Sequence, residues 1–337
     1  MTVPSSGNAG GNMRAAFYDR NGPAAEVLTV GEVDTPRPQA GEVRVKLATS
    51  GVNPSDVKAR GGSRKPMSPY TIPHSDGAGV IDLVGMGVPP GRIGERVWVW
   101  NGQWKRPFGT AAEYIVVPQA MAVPLPDKIS FEAGACLGIP AMTAIHVVHL
   151  AGAGDGTTVL ISGGAGAVSH YAIQFAKDRR ANVITTVSSP AKAKLARDAG
   201  ADHVIDYKTE SVGERVMAIT GNRGVDALIE LDLVANAKLI PSVMRPKGIV
   251  VIYGTGVGEA VIPAPFCLVN GIRLQFTLIY EITPEERERA VNGIMRLLRD
   301  GRLINNVALT LPLSDVVAAH QAVEQGKIAG NVVITLP

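Results

Sequence analysis

Gly163, Gly166 and Ser169 stand three residues apart, the spacing of a glycine turn that can hold a phosphate. A β-branched, apolar run, Thr158 to Ser162, precedes them, and Asp155-Gly156 before it reads as a turn. Tyr171, Ile173, Phe175 and Ala176 follow and mark the apolar side of a helix. A strand, a glycine turn and a helix in that order make a site for a dinucleotide pyrophosphate. The first glycine permits the tight turn, the second lets backbone N–H groups approach phosphate, and the helix N-terminus carries partial positive charge. The third position, where glycine allows close helix–strand packing, is Ser169 here. A Gly-rich turn without a ligand has the same local pattern, so the neighbouring elements must decide.

Those elements alternate. Strands are expected at 158–162, 182–187, 203–206, 225–230, 248–253 and 272–279, with helices at 168–178, 190–199, 211–220 and 234–244. Strands separated by helices imply a parallel, doubly wound sheet, the setting in which a glycine turn binds a dinucleotide. From Met13 to about Pro126 the texture is different. Short strand-like runs (14–18, 28–30 and 42–47) lie between prolines and glycines, which suggests a barrel-like or sandwich domain. After the alternating region come an acidic helix from Pro284 to Asp300, a run Asn306–Leu311, a helix around Ser314–Glu324 and a closing strand Asn331–Thr335. These last segments are suited to completing the first domain.

A chain of 337 residues, 46% hydrophobic and 19% charged, is long enough for two globular domains. Its net charge of +3 comes with no basic run, so nucleic acid is not an expected partner. Two cysteines, Cys136 and Cys267, cannot make a disulfide framework or a four-cysteine zinc site, which favours a reducing, cytoplasmic compartment. Residues 1–12 are rich in Gly, Ser and Asn without an apolar core and read as a flexible tail, not a signal peptide. The apolar run Ala133–Ala153 contains Pro140, His146 and His149 and reads as buried helix and loop, so no membrane span is expected.

The second strand bears on which dinucleotide is bound. An acid near its end, about 20 residues past the glycines, holds the ribose 2′-hydroxyl in NAD-binding versions. This strand ends Thr185-Thr-Val-Ser-Ser-Pro-Ala-Lys192, with hydroxyls and a lysine but no acid, which favours NADPH. Ser189-Pro190 also reads as an ordinary N-cap and N1 pair, and the two roles are compatible.

The chain resembles the zinc-free, ζ-crystallin-like NADPH:quinone oxidoreductases of the medium-chain dehydrogenase/reductase superfamily, from Met13 to Leu336. The resemblance is carried by Gly51-Val-Asn-Pro-Ser-Asp56, Asp76-Gly-Ala-Gly79, Gly94-Glu-Arg-Val97, Gly109-Thr-Ala-Ala-Glu-Tyr114 and Gly138-Ile-Pro-Ala-Met-Thr-Ala144. The glycine turn, Gly200-Ala-Asp-His-Val-Ile-Asp-Tyr207 and Pro246-Lys-Gly248 continue it. It implies an α/β chain in which a GroES-like, β-rich catalytic domain (13–135, completed by 281–337) accompanies a Rossmann NADPH-binding domain (136–280). It also implies cofactor contacts at Asn53, Thr143, Gly166, Ala167, Val168, Ser188, Lys192, Tyr207 and Gly254, beside Gly163 of the turn. Lys192 and Tyr207 match positions flanking the adenosine phosphate. Asn53 and Asp56 match positions beside the nicotinamide and the substrate, and are the expected catalytic residues. Two departures stand out: Ser169 for the third glycine, and His74 where this branch has glycine.

Zinc-dependent relatives have a cysteine near the Asn53 motif, a His-Glu pair near 74–75 and a cysteine or acid near 139. Here Asn53-Pro-Ser-Asp56 has no cysteine, Ser75 follows His74, and Ile139 stands at the later position, so no metal is expected. The expected reaction is metal-free hydride transfer from NADPH to a small hydrophobic acceptor, a quinone or α,β-unsaturated carbonyl, which delocalises the incoming charge. Trp98, Trp100, Trp104, Tyr70 and Tyr280 read either as an acceptor cleft or as core. One alternative is a zinc-free enoyl-thioester reductase using Arg60, Arg64 and Lys65 toward an acyl carrier. Another is a low-turnover NADPH-binding structural or redox-sensing protein. The apolar terminal strand Arg273–Tyr280 would leave an open sheet edge, so a homodimer is expected.

Overall fold

The computed structural model describes residues 11–67 and 69–337, which form two compact units. Most of the expected flexible tail, 1–12, lies outside the described residues. Asn12 is an exception: it begins a strand and pairs with Asp34.

The first unit contains the described residues up to Pro140 together with Asn305–Pro337. Its main sheet has seven strands, running Val307–Pro312, Asn331–Thr335, Glu42–Val52, Asp76–Val84, Arg96–Val99, Ala122–Pro124, with Tyr114–Pro118 also paired to Glu42–Val52. Val307–Pro312 is parallel to Asn331–Thr335 and every other pairing in this sheet is antiparallel. Strand Glu42–Val52 shows why it sits here. Val43, Val45 and Leu47 alternate along it and are fully buried, the period of two that a half-covered strand requires. A two-stranded ribbon, Asn12–Phe17 with Thr29–Asp34, and helix Val316–Glu324 belong to the same unit.

The second unit, Ala141–Ile304, is a six-stranded parallel sheet. Its order is His203–Asp206, Asn182–Val187, Thr158–Ile161, Val225–Glu230, Met244–Ile252, Arg273–Phe276. Strand Thr158–Ile161 is buried throughout, as a parallel strand covered on both faces must be. The strand order reverses between it and Val225–Glu230. In such sheets ligands bind outside the carboxyl ends at that switch point, where the glycine turn sits.

Several boundaries differ from those expected. Residues 136–140 belong to the first unit, because a Cβ on Gly138 would stand 2.3 Å from the Asp76 carboxylate. Residues 281–304 belong to the second, because helix Pro284–Arg299 packs so tightly on helix Met142–Leu150 that a Cβ on Gly293 would lie 2.3 Å from Ile145. The helix expected at 234–244 is three short pieces, 233–236, 237–239 and 240–243. Pro241 lacks the N–H needed to continue a helix, and the next strand begins earlier, at Met244. The last strand stops at Phe276, and a short turn of 3₁₀-helix at Ile279–Glu281 follows.

Candidate active site

In the second unit, Gly163 has φ +67°, a conformation that suits glycine and strains other residues. A Cβ on Gly164 would lie 2.3 Å from Thr185 Oγ1, so the turn closes directly on the second strand. That strand braces it. Gly163 N–H donates to Thr186 Oγ1 at 3.1 Å and Gly164 N–H to the Thr186 carbonyl at 2.9 Å. Gly166 is the N-cap of helix Ala167–Asp178 and has no side chain with which to cap it, so the first-turn N–H groups of Ala167 and Val168 stay available. The turn opens on a cavity of about 1330 Å³ lined by Ser162, Gly163, Thr186, Tyr207, Leu231 and Asp232, among others. A flexed, uncapped turn at the switch point beside a cavity of that size fits a dinucleotide phosphate.

Ser169 does not cap this helix. It is buried and donates to the Ser162 carbonyl at 2.7 Å, and its hydroxyl lies 3.1 Å from that of Tyr253. The residue that replaces a packing glycine thus ties the helix to the ends of two sheet strands.

Ser188, Lys192 and Tyr207 meet at the end of the second strand. Lys192 Nζ donates to Ser188 Oγ at 3.2 Å, and the Tyr207 N–H is bonded to the Val187 carbonyl at 3.1 Å. Ser189 caps helix Pro190–Asp198 through the Lys192 N–H, so the capping role and a charged side chain at the strand end coexist. Tyr207 is half exposed. Gly254 follows strand Met244–Ile252 and lies so close to Leu231 that a Cβ would stand 1.9 Å from its carbonyl oxygen. Thr143 is buried in helix Met142–Leu150.

Asn53 and Asp56 belong to the first unit, at the start of helix Pro54–Lys58. Asp56 accepts the Asn53 backbone N–H at 2.8 Å, while Asn53 Nδ2 donates to Asp76 Oδ2 at 2.8 Å. All three are buried. Asp56 Oδ1 has no hydrogen-bond partner among the described residues, and burial pushes its carboxyl up to about 7. Burial likewise raises Asp76 well above the usual carboxylate range, and the Asp56 charge adds to the effect.

His74 occupies the position where a glycine was expected, with φ 75°. Its Nδ1 is 2.9 Å from Ser50 Oγ and its Nε2 is 2.9 Å from His320 Nε2, so both nitrogens are engaged. Burial holds its pKa down to about 3. Among the described residues, no group of three or more His, Cys, Asp or Glu could hold a metal ion. This donor set does not fit a catalytic zinc.

Other expected roles shift. Arg60 is only 1% exposed and bonds to the Gly22 carbonyl, Glu324 and His320, so it is not available to an acyl carrier. Arg64 stacks on Trp104, 4.8 Å from the ring centroid. Trp98, Trp100 and Tyr280 are buried core, and Tyr70 packs between Phe17 and Phe108. Cys136 is a buried thiol raised by desolvation. Among the described residues no helix is long and apolar enough to cross a membrane.

Residues 39–127 match the family described as "Alcohol dehydrogenase GroES-like domain", and residues 167–295 the one described as "Zinc-binding dehydrogenase". The rat (Rattus norvegicus) quinone oxidoreductase is 30% identical over 331 residues, covering 96% of this chain and 98% of the relative. The chain belongs to the quinone oxidoreductase branch of the medium-chain dehydrogenase/reductase superfamily. A 2-haloacrylate reductase from a Burkholderia species is 29% identical over 340 residues, with coverages of 96% and 98%. A mycobacterial structure complexed with NADPH superposes with a TM-score of 0.84 at 27% identity, covering 96% of this chain and all of that one. An NAD-dependent alcohol dehydrogenase structure reaches 0.88 at 28% identity, with coverages of 96% and 100%.

Within this oxidoreductase fold, the sequence left several contributors unassigned. Asp76, weighed from the sequence only as a metal ligand beside His74, instead bonds to Asn53, and an acid among glycines at a strand start is its visible signal. The hydroxyls of Thr185 and Thr186 suit a 2′-phosphate by sequence, and in the structure they bond to the Ile161 carbonyl and to the turn at Gly163. His320, 246 residues from His74, carried no local signal.

Proposed function

We propose that this chain is an NADPH-dependent reductase that transfers hydride to a quinone or an α,β-unsaturated carbonyl without a metal. The observation that carries the cofactor choice is the Lys192–Ser188 pair at the end of the second strand, where an NAD-binding sheet has an acid. The bound nicotinamide supplies the hydride. Ala167 and Val168 hold the pyrophosphate by backbone N–H groups, Gly163 and Gly166 shape the turn that lets it approach, and Lys192, Ser188 and Tyr207 hold the 2′-phosphate. Thr143 and Gly254 are further cofactor contacts. Asn53 is the donor at the nicotinamide and acceptor end, and Asp56 fixes its backbone.

Two observations support a metal-free reaction. Both nitrogens of His74 are spent within the protein, and among the described residues no third donor completes a set. An acceptor that delocalises charge suits such a site better than an alcohol, whose oxidation needs an alkoxide stabilised. The buried Arg60 disfavours the enoyl-thioester reading. Two cysteines, one of them buried, suit a reducing, cytoplasmic setting.

The test is NADPH oxidation by the purified protein with a panel of quinones, enones and enoyl thioesters, with and without chelator. Turnover of quinones or enones that survives chelation is expected. Activity lost to chelator and restored by zinc overturns the metal-free mechanism. Tight NADPH binding with no turnover favours the structural or redox-sensing role.

A further inference from the structure

Several buried polar groups of the first unit form one continuous chain of hydrogen bonds, and its two ends fix its direction. At one end, Arg60 Nε can only donate, and it reaches His320 Nδ1 at 3.4 Å. His320 must therefore carry its proton on Nε2 and donate it to His74 Nε2, 2.9 Å away. His74 must then carry its own proton on Nδ1 and donate to Ser50 Oγ at 2.9 Å. At the other end, the Thr110 hydroxyl donates to the Asp76 carbonyl at 2.5 Å, so it can only accept from Ser50 at 2.8 Å. Every link agrees with its neighbours. Both imidazoles are neutral, each in one tautomer, in keeping with the low pKa that burial imposes on both and that Arg60 reinforces at His320.

The chain ends on Asp76, whose carboxylate takes one hydrogen of the Asn53 amide. The Asn53 side chain also interacts with the Asp56 carboxyl, so the two buried acids orient its amide together. We propose that Asp76 is a positioning residue for Asn53, and that the Arg60–His320–His74–Ser50–Thr110 chain holds Asp76 in register. His74 keeps a backbone conformation that favours glycine, and what its side chain adds there is the middle link of this chain. The inference rests on the reading of Asn53 as the donor at the nicotinamide end.

Two measurements on the intact protein test it. In ¹⁵N-histidine NMR at neutral pH, His74 is expected as the Nδ1–H tautomer and His320 as the Nε2–H tautomer. Reversed tautomers or a charged ring overturn the chain. In kinetics with saturating NADPH and quinone, Asp76→Leu, which has no acceptor for the Asn53 amide, and His320→Leu are expected to lower kcat about tenfold while the NADPH Kd moves less than about twofold. His320→Gln, whose single amide can accept from Arg60 and donate to His74, is expected to recover most of the loss. Unchanged kcat in Asp76→Leu and His320→Leu overturns the positioning role. So does a parallel loss of kcat and NADPH affinity that glutamine does not rescue. A wild-type protein that oxidises NADPH with no acceptor counts against the proposed function, and the tautomers then judge the chain by themselves.

Discussion

Replacing Lys192 by alanine removes an ammonium 3.2 Å from Ser188, where a 2′-phosphate is expected to lie. A charge-assisted contact of this kind exists for NADPH and not for NADH. The NADPH Kd should therefore rise about tenfold or more while the NADH Kd changes little, read by fluorescence titration of both. Equal losses for the two cofactors would refute the assignment. Asp56 tests the buried corner in a different way. Its folded-state pKa is raised from 3.8 to about 7. Between those values the folded protein keeps a proton that the unfolded chain has released. The group therefore favours folding in acid, and that contribution is lost as pH rises through about 7. Asp56→Asn keeps the shape and removes the titration. Its stability relative to wild type should climb between about pH 4 and 7 and then level off in urea melts. A difference that stays flat with pH would mean that Asp56 is not held protonated.

Ser169 shows how an element can be read correctly while one of its residues is misread. The strand, turn and helix were legible because β-branched and apolar residues, glycines and a 3.6-residue apolar period each have one physical reason to occur there. Ser169 was legible only as a missing glycine, because its partners, the Ser162 carbonyl and Tyr253, lie on strand ends that sequence spacing does not bring together. The same limit hid His320, and it hid the packing of Gly293 on Ile145 that places helix Pro284–Arg299 in the second unit. With both contacts in view, Ser169→Gly should destabilise the protein by about 1–3 kcal/mol, through lost hydrogen bonds and a glycine inside a helix. NADPH should bind more weakly as the turn loosens. Unchanged denaturation midpoints and cofactor affinity would show that the serine contacts contribute nothing.

At the scale of the molecule, the parallel sheet of the second unit ends in strand Arg273–Phe276, which is paired on one side only, to Met244–Ile252. Thr277 N–H donates inward, to the Ile252 carbonyl at 3.0 Å. Alternate residues point their N–H groups to opposite sides, so those of Leu274 and Phe276 face the open edge. The surface around that edge carries several exposed apolar side chains beside Arg273 and Gln275. Leu268 and Val269, on the helix just before the strand, are more than 80% exposed, and Phe276 and Leu278 are half exposed. An unpaired, apolar edge is normally covered, and a second copy of the chain across a two-fold axis would cover it with the same surface. We therefore propose a homodimer built on this edge. A proline at Thr277 is a poor probe, because it would break a bond inside one sheet. Phe276→Lys puts a charge on the edge and leaves that bond in place. Light scattering is expected to give about twice the 35.3 kDa chain mass for the wild type and a shift toward one chain mass for Phe276→Lys, with the circular dichroism spectrum retained. A wild-type mass of one chain, unchanged on concentration, would leave the edge uncovered in solution and exclude the dimer.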